Sequence, residues 1–465
     1  MRPLQREHPR IGATAQLFEF VARLKYDGLS DAVRHHARRH LVDTAGVMIA
    51  GAQGELAGKA QRVLAAGRSG GEVPVPGCAN RAVLLDAAYL GGTAAHGIEF
   101  DDGFRQGSVH PGCVVLPAAL AAAYAERASG AALIEAIVAG YETVIAVGAA
   151  VHPDLRRRGF HPTGIVGVFG AGMAAGKLYG FSSAALGHAL GMAASGAAGL
   201  FAFVNGGADV KRLHAGHAAR EGLLVALLAR EGVLGPPDVL EAHEGFMHAF
   251  LGHTGAPLAL PPLLPFGITD CYVKSYPCCR HIQPAIEALI GILRDENITP
   301  DQVERVEVAT YAIAAAHART GWNDFASAQL SFPYLIALAL KYRTIRLAHF
   351  EEPVRSDGEI AELAPKVKVS APPDIDALYP QLRPARVTVV TARGAFTRQA
   401  DEALGSRMLP LDDAALEAKF LGLAAPVLGS DRAQDLARRL WAVDAVSDVA
   451  PLIDAMAKPA GGNIG

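Results

Sequence analysis

Four short segments set titratable side chains beside glycine or proline turns. HGIEFDDGFRQGSVHPG (96–112) ends an apolar run with Glu99, Asp101 and Asp102, then closes on His110-Pro111. RRRGFHPTG (156–164) repeats the His-Pro pair at His161, with Thr163 opening the next apolar run. NGGADVKRLHAG (205–216) places Lys211 and His214 three residues apart, which puts both on one helix face. KSYPCCRHIQ (274–283) packs Lys274, Cys278, Cys279, Arg280 and His281 into one turn-like stretch.

Lysine and arginine bind carboxylates, and histidine takes or gives a proton near neutral pH. The helix start after His161 offers free N–H groups and a positive dipole end, which also suit a carboxylate. The set points to proton abstraction next to a carboxylate, with no redox cofactor. Burial beside the cations should lower the histidine pKa values and keep one imidazole neutral as a base. A blander reading exists for each part: the acids could cap a helix end, and Arg156–Arg158 could be solvated surface.

Other motifs weigh little. GAGMAA (170–175) satisfies a dinucleotide fingerprint, but 183–195 offers no acid for a ribose, so helix packing explains its glycines better. His214, His217 and Glu221 do not form H-E-x-x-H, and Cys271, Cys278 and Cys279 lack a CxxC partner, so no metal is expected. There is no kinase or P-loop pattern.

Those segments need elements to hold them. A chain of 465 residues exceeds one usual core, so two domains are expected. Helical spacing dominates from residue 12 to about 265, with helices at Ala118–Arg127, Ala131–Val151 and His214–Glu231. A proline-rich connection, 261–265, marks a boundary. Beyond it Val303–Thr310, Lys366–Ser370 and Ala385–Thr391 alternate like half-buried antiparallel strands, with helices at Ile282–Arg294 and Ser331–Leu340. Helices return at Asp412–Ala424, Ser430–Ala442 and Val449–Met456. The expectation is a mainly α protein: a large all-helical domain (1–265 and 405–465) carrying a smaller α+β domain (266–404) with a short antiparallel sheet.

A net charge of −3 argues against nucleic acid as a partner. Five cysteines, an odd number, suit a reducing compartment, and MRPLQREHPR has no apolar signal core, so a cytoplasmic protein is expected. Ala189–Val204 is uncharged but shorter than the roughly 20 residues a membrane span needs, so no membrane partner is expected.

Together the four segments resemble the MmgE/PrpD family, which includes 2-methylcitrate dehydratases, cis-aconitate decarboxylases and an iminodisuccinate epimerase. The likeness runs on through AQLSFPY (328–334) to the final helices. It implies a helical domain with a lid-like α+β domain, an active site between them, homodimers and small polycarboxylate substrates. Glu99 or Asp101, His110, His161, Lys211 and Lys274 fall on the family's site positions, His214 lies near them, and Tyr334 follows a segment that nears the cleft. The chain departs from the family where decarboxylases carry histidine two residues after the proline of KxYP; here Cys279 stands. It also has Gln283 where many members have histidine, and HPGCV where dehydratases have a HPSDN-like loop. The resulting expectation is a cofactor-independent lyase of the dehydratase type, with an epimerase or decarboxylase as alternatives. His110, His161, Lys211 and Lys274 would carry the chemistry. Glu99, Asp101, Thr163, His214, Cys279, Arg280, His281 and Tyr334 would bind substrate.

Overall fold

A computed structural model describes residues 12–66, 70–205, 209–252, 260 and 262–459. The N-terminal MRPLQREHPR stretch, the Gly206-Gly207 turn and Pro261 of the proline-rich connection lie outside the described residues.

The first half is built from Ala- and Gly-rich helices whose small side chains let backbones approach. Gly130–Val151, capped by Ser129, crosses Pro162–Leu178 at Gly140 and Gly170. A Cβ on Gly170 would lie 2.6 Å from the Gly140 carbonyl oxygen, so a side chain there would force the helices apart. This is the packing expected for GAGMAA, which sits inside a helix. Val210–Arg230 packs on the same Pro162–Leu178 helix and on Leu84–Ala95. Gly130–Val151 is long and apolar enough to cross a membrane, but 83% of its most apolar window is buried inside this bundle. The uncharged run 189–204 is broken into the end of one helix and two 3-10 turns.

The second half is built around four strands: β1 (Val303–Thr310), β2 (Val367–Ser370), β3 (Ala385–Thr391) and β4 (Gly394–Ala400), in the order β2-β1-β3-β4. β3 buries every second residue, as its sequence alternation predicts. The sheet is mixed, which corrects the expected antiparallel one: β2 runs parallel to β1, with Val306 opposite Val367. Parallel neighbours need a crossover, and the Phe332–Tyr342 helix lies between these strands and packs on β2. Helix Gln283–Asp295 packs against β3 and β4.

Two large apolar cores result among the described residues, beside two minor clusters. The larger gathers residues from Leu17 to Ile268 together with Leu416, Phe420, Leu436 and Leu440 of the returning helices Asp413–Leu428 and Ser430–Trp441. The smaller runs from Cys278 to Val389. The segment between them is stitched to both sides. Gly103 and Tyr272 exchange backbone hydrogen bonds, and the Val273 N–H donates to the Gly405 carbonyl.

Candidate active site

Helix Leu84–Ala95 ends at His96, and the chain then turns sharply through Glu99. Glu99 holds φ +54°, a left-handed conformation that costs a residue with a side chain roughly 1–3 kcal/mol. Lys274 meets that turn. Its buried Nζ donates to the Glu99 carbonyl oxygen at 3.0 Å, Glu99 Oε2 at 3.3 Å and Asp101 Oδ1 at 3.4 Å. An ammonium has three protons, so Lys274 is fully spent on this turn. Burial alone would lower the Lys274 pKa; Asp101 and its other neighbours more than reverse this and keep it charged.

Lys211 reaches the other face of the same carboxylate and donates to Glu99 Oε1. That is its one hydrogen-bond partner among the described residues, and its side chain is 17% exposed, so further donors remain available. Burial, then Lys274 and Arg212, push its ammonium well below its usual range, with Cys279 working the other way.

Four imidazoles line up beside Asp101. His96 Nδ1 lies 2.6 Å from Asp101 Oδ2. His110 Nδ1 lies 2.6 Å from the Asp102 carbonyl oxygen, which can only accept, and 3.3 Å from Asp101 Oδ2. Nδ1 therefore carries the proton on His110, and in the neutral ring Nε2 presents a lone pair. His96 is arranged alike, and its buried Nε2 has no hydrogen-bond partner among the described residues. The His161 ring stacks on His96 at 5.6 Å between centroids, and its Nδ1 lies 3.1 Å from His214 Nδ1. One of those two nitrogens must donate and the other accept. Burial lowers His96 to about 3, assisted by Lys211 and His110 and opposed by Asp101. Burial and the neighbouring histidines hold His161 well below its usual value. Asp101 titrates well below the carboxylate range: burial raises it, but His110, His96 and Lys274 outweigh that.

A further layer fixes this cluster. Asp102 accepts from Tyr141 Oη at 2.7 Å and from the Gly112 N–H at 2.9 Å, with His40 Nδ1 3.0 Å away. A Cβ on Gly112 would lie 2.7 Å from Asp102 Oδ1, which explains HPG in this loop. Buried Lys419 pairs with Asp43 at 2.6 Å and donates to the carbonyls of Phe100 (2.9 Å) and Lys274 (3.0 Å). Thr163 Oγ1 accepts from the His110 N–H at 3.2 Å, so its role here is to position that backbone. Donor atoms of His96, Asp101 and Cys113 lie within 4.8 Å of one another. The Lys274 ammonium on Asp101, and a Cys113 thiol that burial pushes well up, make that corner a poor holder for a cation.

The second core contributes Cys279. Its Sγ lies 3.7 Å from His317 Nε2, and both residues are largely buried. Burial would raise the Cys279 thiol, but His317, the His281 N–H and Lys274 pull it down to about 7. His317 is raised, because the nearby sulfur outweighs its own burial. Gln329 ties this pair to the first core. Its carbonyl oxygen accepts from the Cys279 N–H at 2.9 Å, and its Nε2 donates to the Ile98 carbonyl at 2.7 Å, one residue from Glu99.

Three expected site residues lie elsewhere. Arg280 is not a free carboxylate clamp: its guanidinium donates to the carbonyls of Leu404 (2.8 Å) and Ala403 (2.9 Å) and to Gln283 Oε1 (2.7 Å). Tyr334 is fully buried in the second core, stacks on Trp322 and donates to the His349 carbonyl. The His281 ring pairs with the Tyr311 hydroxyl and stacks on His317, and its backbone N–H meets the Cys279 thiol. Neither His96 nor His317 was singled out by the sequence. His96 opens the quoted 96–112 segment, a usable signal, whereas His317 stands in an alanine-rich stretch that carries none.

A mainly helical fold gathers two lysines, two carboxylates and four imidazoles, buried or half-buried, around one turn. The chain belongs to the MmgE/PrpD family: residues 15–259 match its N-terminal domain and residues 276–443 its C-terminal domain. It is 26% identical to a cis-aconitate decarboxylase of Aspergillus terreus, over 96% of each chain. It is 27% identical to a cis-aconitate decarboxylase-like protein, oryM, of Aspergillus oryzae, over 96% of this chain and 97% of the other. It is also 27% identical to the human cis-aconitate decarboxylase, over 94% of this chain and 92% of the other.

Proposed function

We propose that this protein is a cofactor-independent lyase that eliminates water from a small di- or tricarboxylate. The observation that carries the reading is Lys211. It is the one cation of the cluster with donors to spare, and it stands beside imidazoles held neutral by burial.

In this reading a substrate carboxylate docks on Lys211, sharing it with Glu99. His110 Nε2 takes the proton from the adjacent carbon, and the electron pair moves into an enediolate. Lys211, with the field of Lys274 behind it, stabilises that charge in a site sheltered from water. The leaving hydroxyl takes a proton relayed from solvent through the His161–His214 pair, which gains one proton as it passes one on and so stays neutral overall. Elimination needs both a base and an acid, and this cluster supplies two distinct proton-bearing arrangements, which favours dehydration on geometry.

Decarboxylation is a second reading, supported by the full-length likeness to cis-aconitate decarboxylases. Loss of a carboxylate needs no base in its first step, only the cation and a later proton. Incubation with citrate, malate and cis-aconitate, with products resolved by NMR, separates the two. An alkene formed from a hydroxy acid supports dehydration, and bicarbonate supports decarboxylation. Full turnover in both His161→Ala and Lys211→Ala would rule out the site itself.

A further inference from the structure

The mechanism above uses the lysines and histidines of the first core and leaves one reactive pair idle. Cys279 Sγ, in the second core, and His317 Nε2, at its edge, face each other at 3.7 Å. The other four cysteines are free and buried, and Cys78, Cys113, Cys271 and Cys278 have thiols pushed up by burial. Cys279 alone among them is pulled down, to about 7, against its own burial. A thiolate stabilised by an adjacent imidazolium is an effective acid–base group near neutral pH.

The pair also lies within electrostatic reach of the site lysines. Cys279 interacts electrostatically with both Lys211 and Lys274, and His317 with Lys211. Cys278, His281 and Tyr311 face it from its own core, with Arg383 behind His281. Gln329 links it to the Glu99 turn, its carbonyl accepting from the Cys279 N–H and its side-chain Nε2 donating to the Ile98 carbonyl.

We infer that Cys279 and His317 act as one proton-transfer pair that returns a proton to the substrate carbon. The protein then exchanges that carbon's hydrogen with solvent, as a second activity beside elimination. The enediolate takes the proton of the thiol: a C–H bond forms, the S–H bond breaks, and the electron pair stays on sulfur. His317 Nε2–H then protonates the thiolate, and water recharges the imidazole. This inference rests on the lysine–histidine cluster being the substrate site.

The test runs in deuterated water with citrate, malate and cis-aconitate, and reads deuterium in the recovered acid. For the acid that turns over, wild type should label it. Cys279→Ala and His317→Ala should each cut labelling at least about tenfold while retaining more of the elimination. A parallel readout needs no turnover: the pH dependence of Cys279 alkylation by iodoacetamide, located by mass spectrometry. Its midpoint should lie near neutrality and rise by at least one pH unit in His317→Ala. Cys279→Ser serves the exchange assay if the alanine variant folds poorly. Unlabelled substrate from a turning-over wild type, undiminished labelling in the variants, or a midpoint indifferent to His317 would each overturn the pair. If His161→Ala and Lys211→Ala both keep turnover, the substrate-site reading has failed; if they abolish it while Cys279→Ala labels like wild type, only the pair has.

Discussion

The two sides of the site are built differently. On the first-core side the key charged groups are cross-tied: Lys274 to three acceptors, Asp102 to Tyr141 and Gly112, Lys419 to Asp43 and two carbonyls. On the second-core side one thiol and one imidazole face each other at 3.7 Å, with the Cys279 N–H held by Gln329 and His281 paired with the Tyr311 hydroxyl. The first arrangement fixes charges before any substrate arrives, which is where electrostatic stabilisation of a transition state comes from. The second holds a mobile proton with few constraints, so its behaviour follows its two members. Scaffold and chemistry are thus separable here, and substitutions on the two sides should fail in different ways.

The largest effect should come from Lys274→Met. It leaves Glu99 and Asp101 buried without their shared cation, and breaking a buried pair from one side costs about 3–5 kcal/mol. Urea unfolding should show that loss, with activity falling alongside. Lys211→Ala should do the opposite. Its Nζ has only Glu99 as a partner among the described residues, so stability should change little. Turnover should fall about 10²–10³-fold, the usual cost of removing one donor from a developing negative charge. If the two variants lost stability equally, the division between scaffold and chemistry would be wrong.

Acid sharpens the contrast. His96 is held neutral in the fold, down to about 3 from an ordinary 6.5, so the unfolded chain binds the extra proton between those values. Stability from this group is therefore present above pH 6.5 and is lost as pH falls below it, by about 1.4 kcal/mol per pH unit. His161 is lowered as well and acts in the same direction. Urea midpoints measured from pH 7 to pH 5 should fall in wild type and fall less steeply in His96→Gln.

Much of this was legible in sequence, and the failures have physical reasons. Helices were read well because Ala-rich, Gly-punctuated runs leave few alternatives; Ala131–Val151 and Ser430–Ala442 each end within a residue of the observed helices. β1 and β3 were visible because β3 buries every second residue and β1 does so from Val306 onward, past an irregularity between Val303 and Arg305. β4 was missed because it has no buried residue: Phe396 and Ala400 are only partly covered. The direction of β2 was misread although a helix between it and β1 is itself the signature of a crossover. At the site, Lys211, Lys274, His110 and His161 stood out because each sits in a dense polar motif. Lys419 and His317 lie in ordinary helical and alanine-rich contexts, and their partners, Asp43 and Cys279, are remote in the chain. Arg280 was misassigned because a guanidinium suits carbonyl oxygens as well as carboxylates, and sequence does not say which will be near.

The smallest effect tests how far the scaffold's precision matters. Thr163 was expected to touch substrate, yet its hydroxyl accepts the His110 N–H at 3.2 Å from a fully buried position. Thr163→Val keeps the shape and removes only that acceptor, at a cost of about 1 kcal/mol in stability. If Thr163 only positions His110, turnover should drop a few-fold through kcat, with KM for the acid unchanged. A rise in KM with kcat intact would instead put the hydroxyl on the substrate, as the sequence suggested. The distinction matters because His110 Nε2 is the proposed base. Its Nδ1 is anchored on the Asp102 carbonyl and its main chain on Thr163, so losing the second anchor should leave the tautomer intact and loosen only the aim.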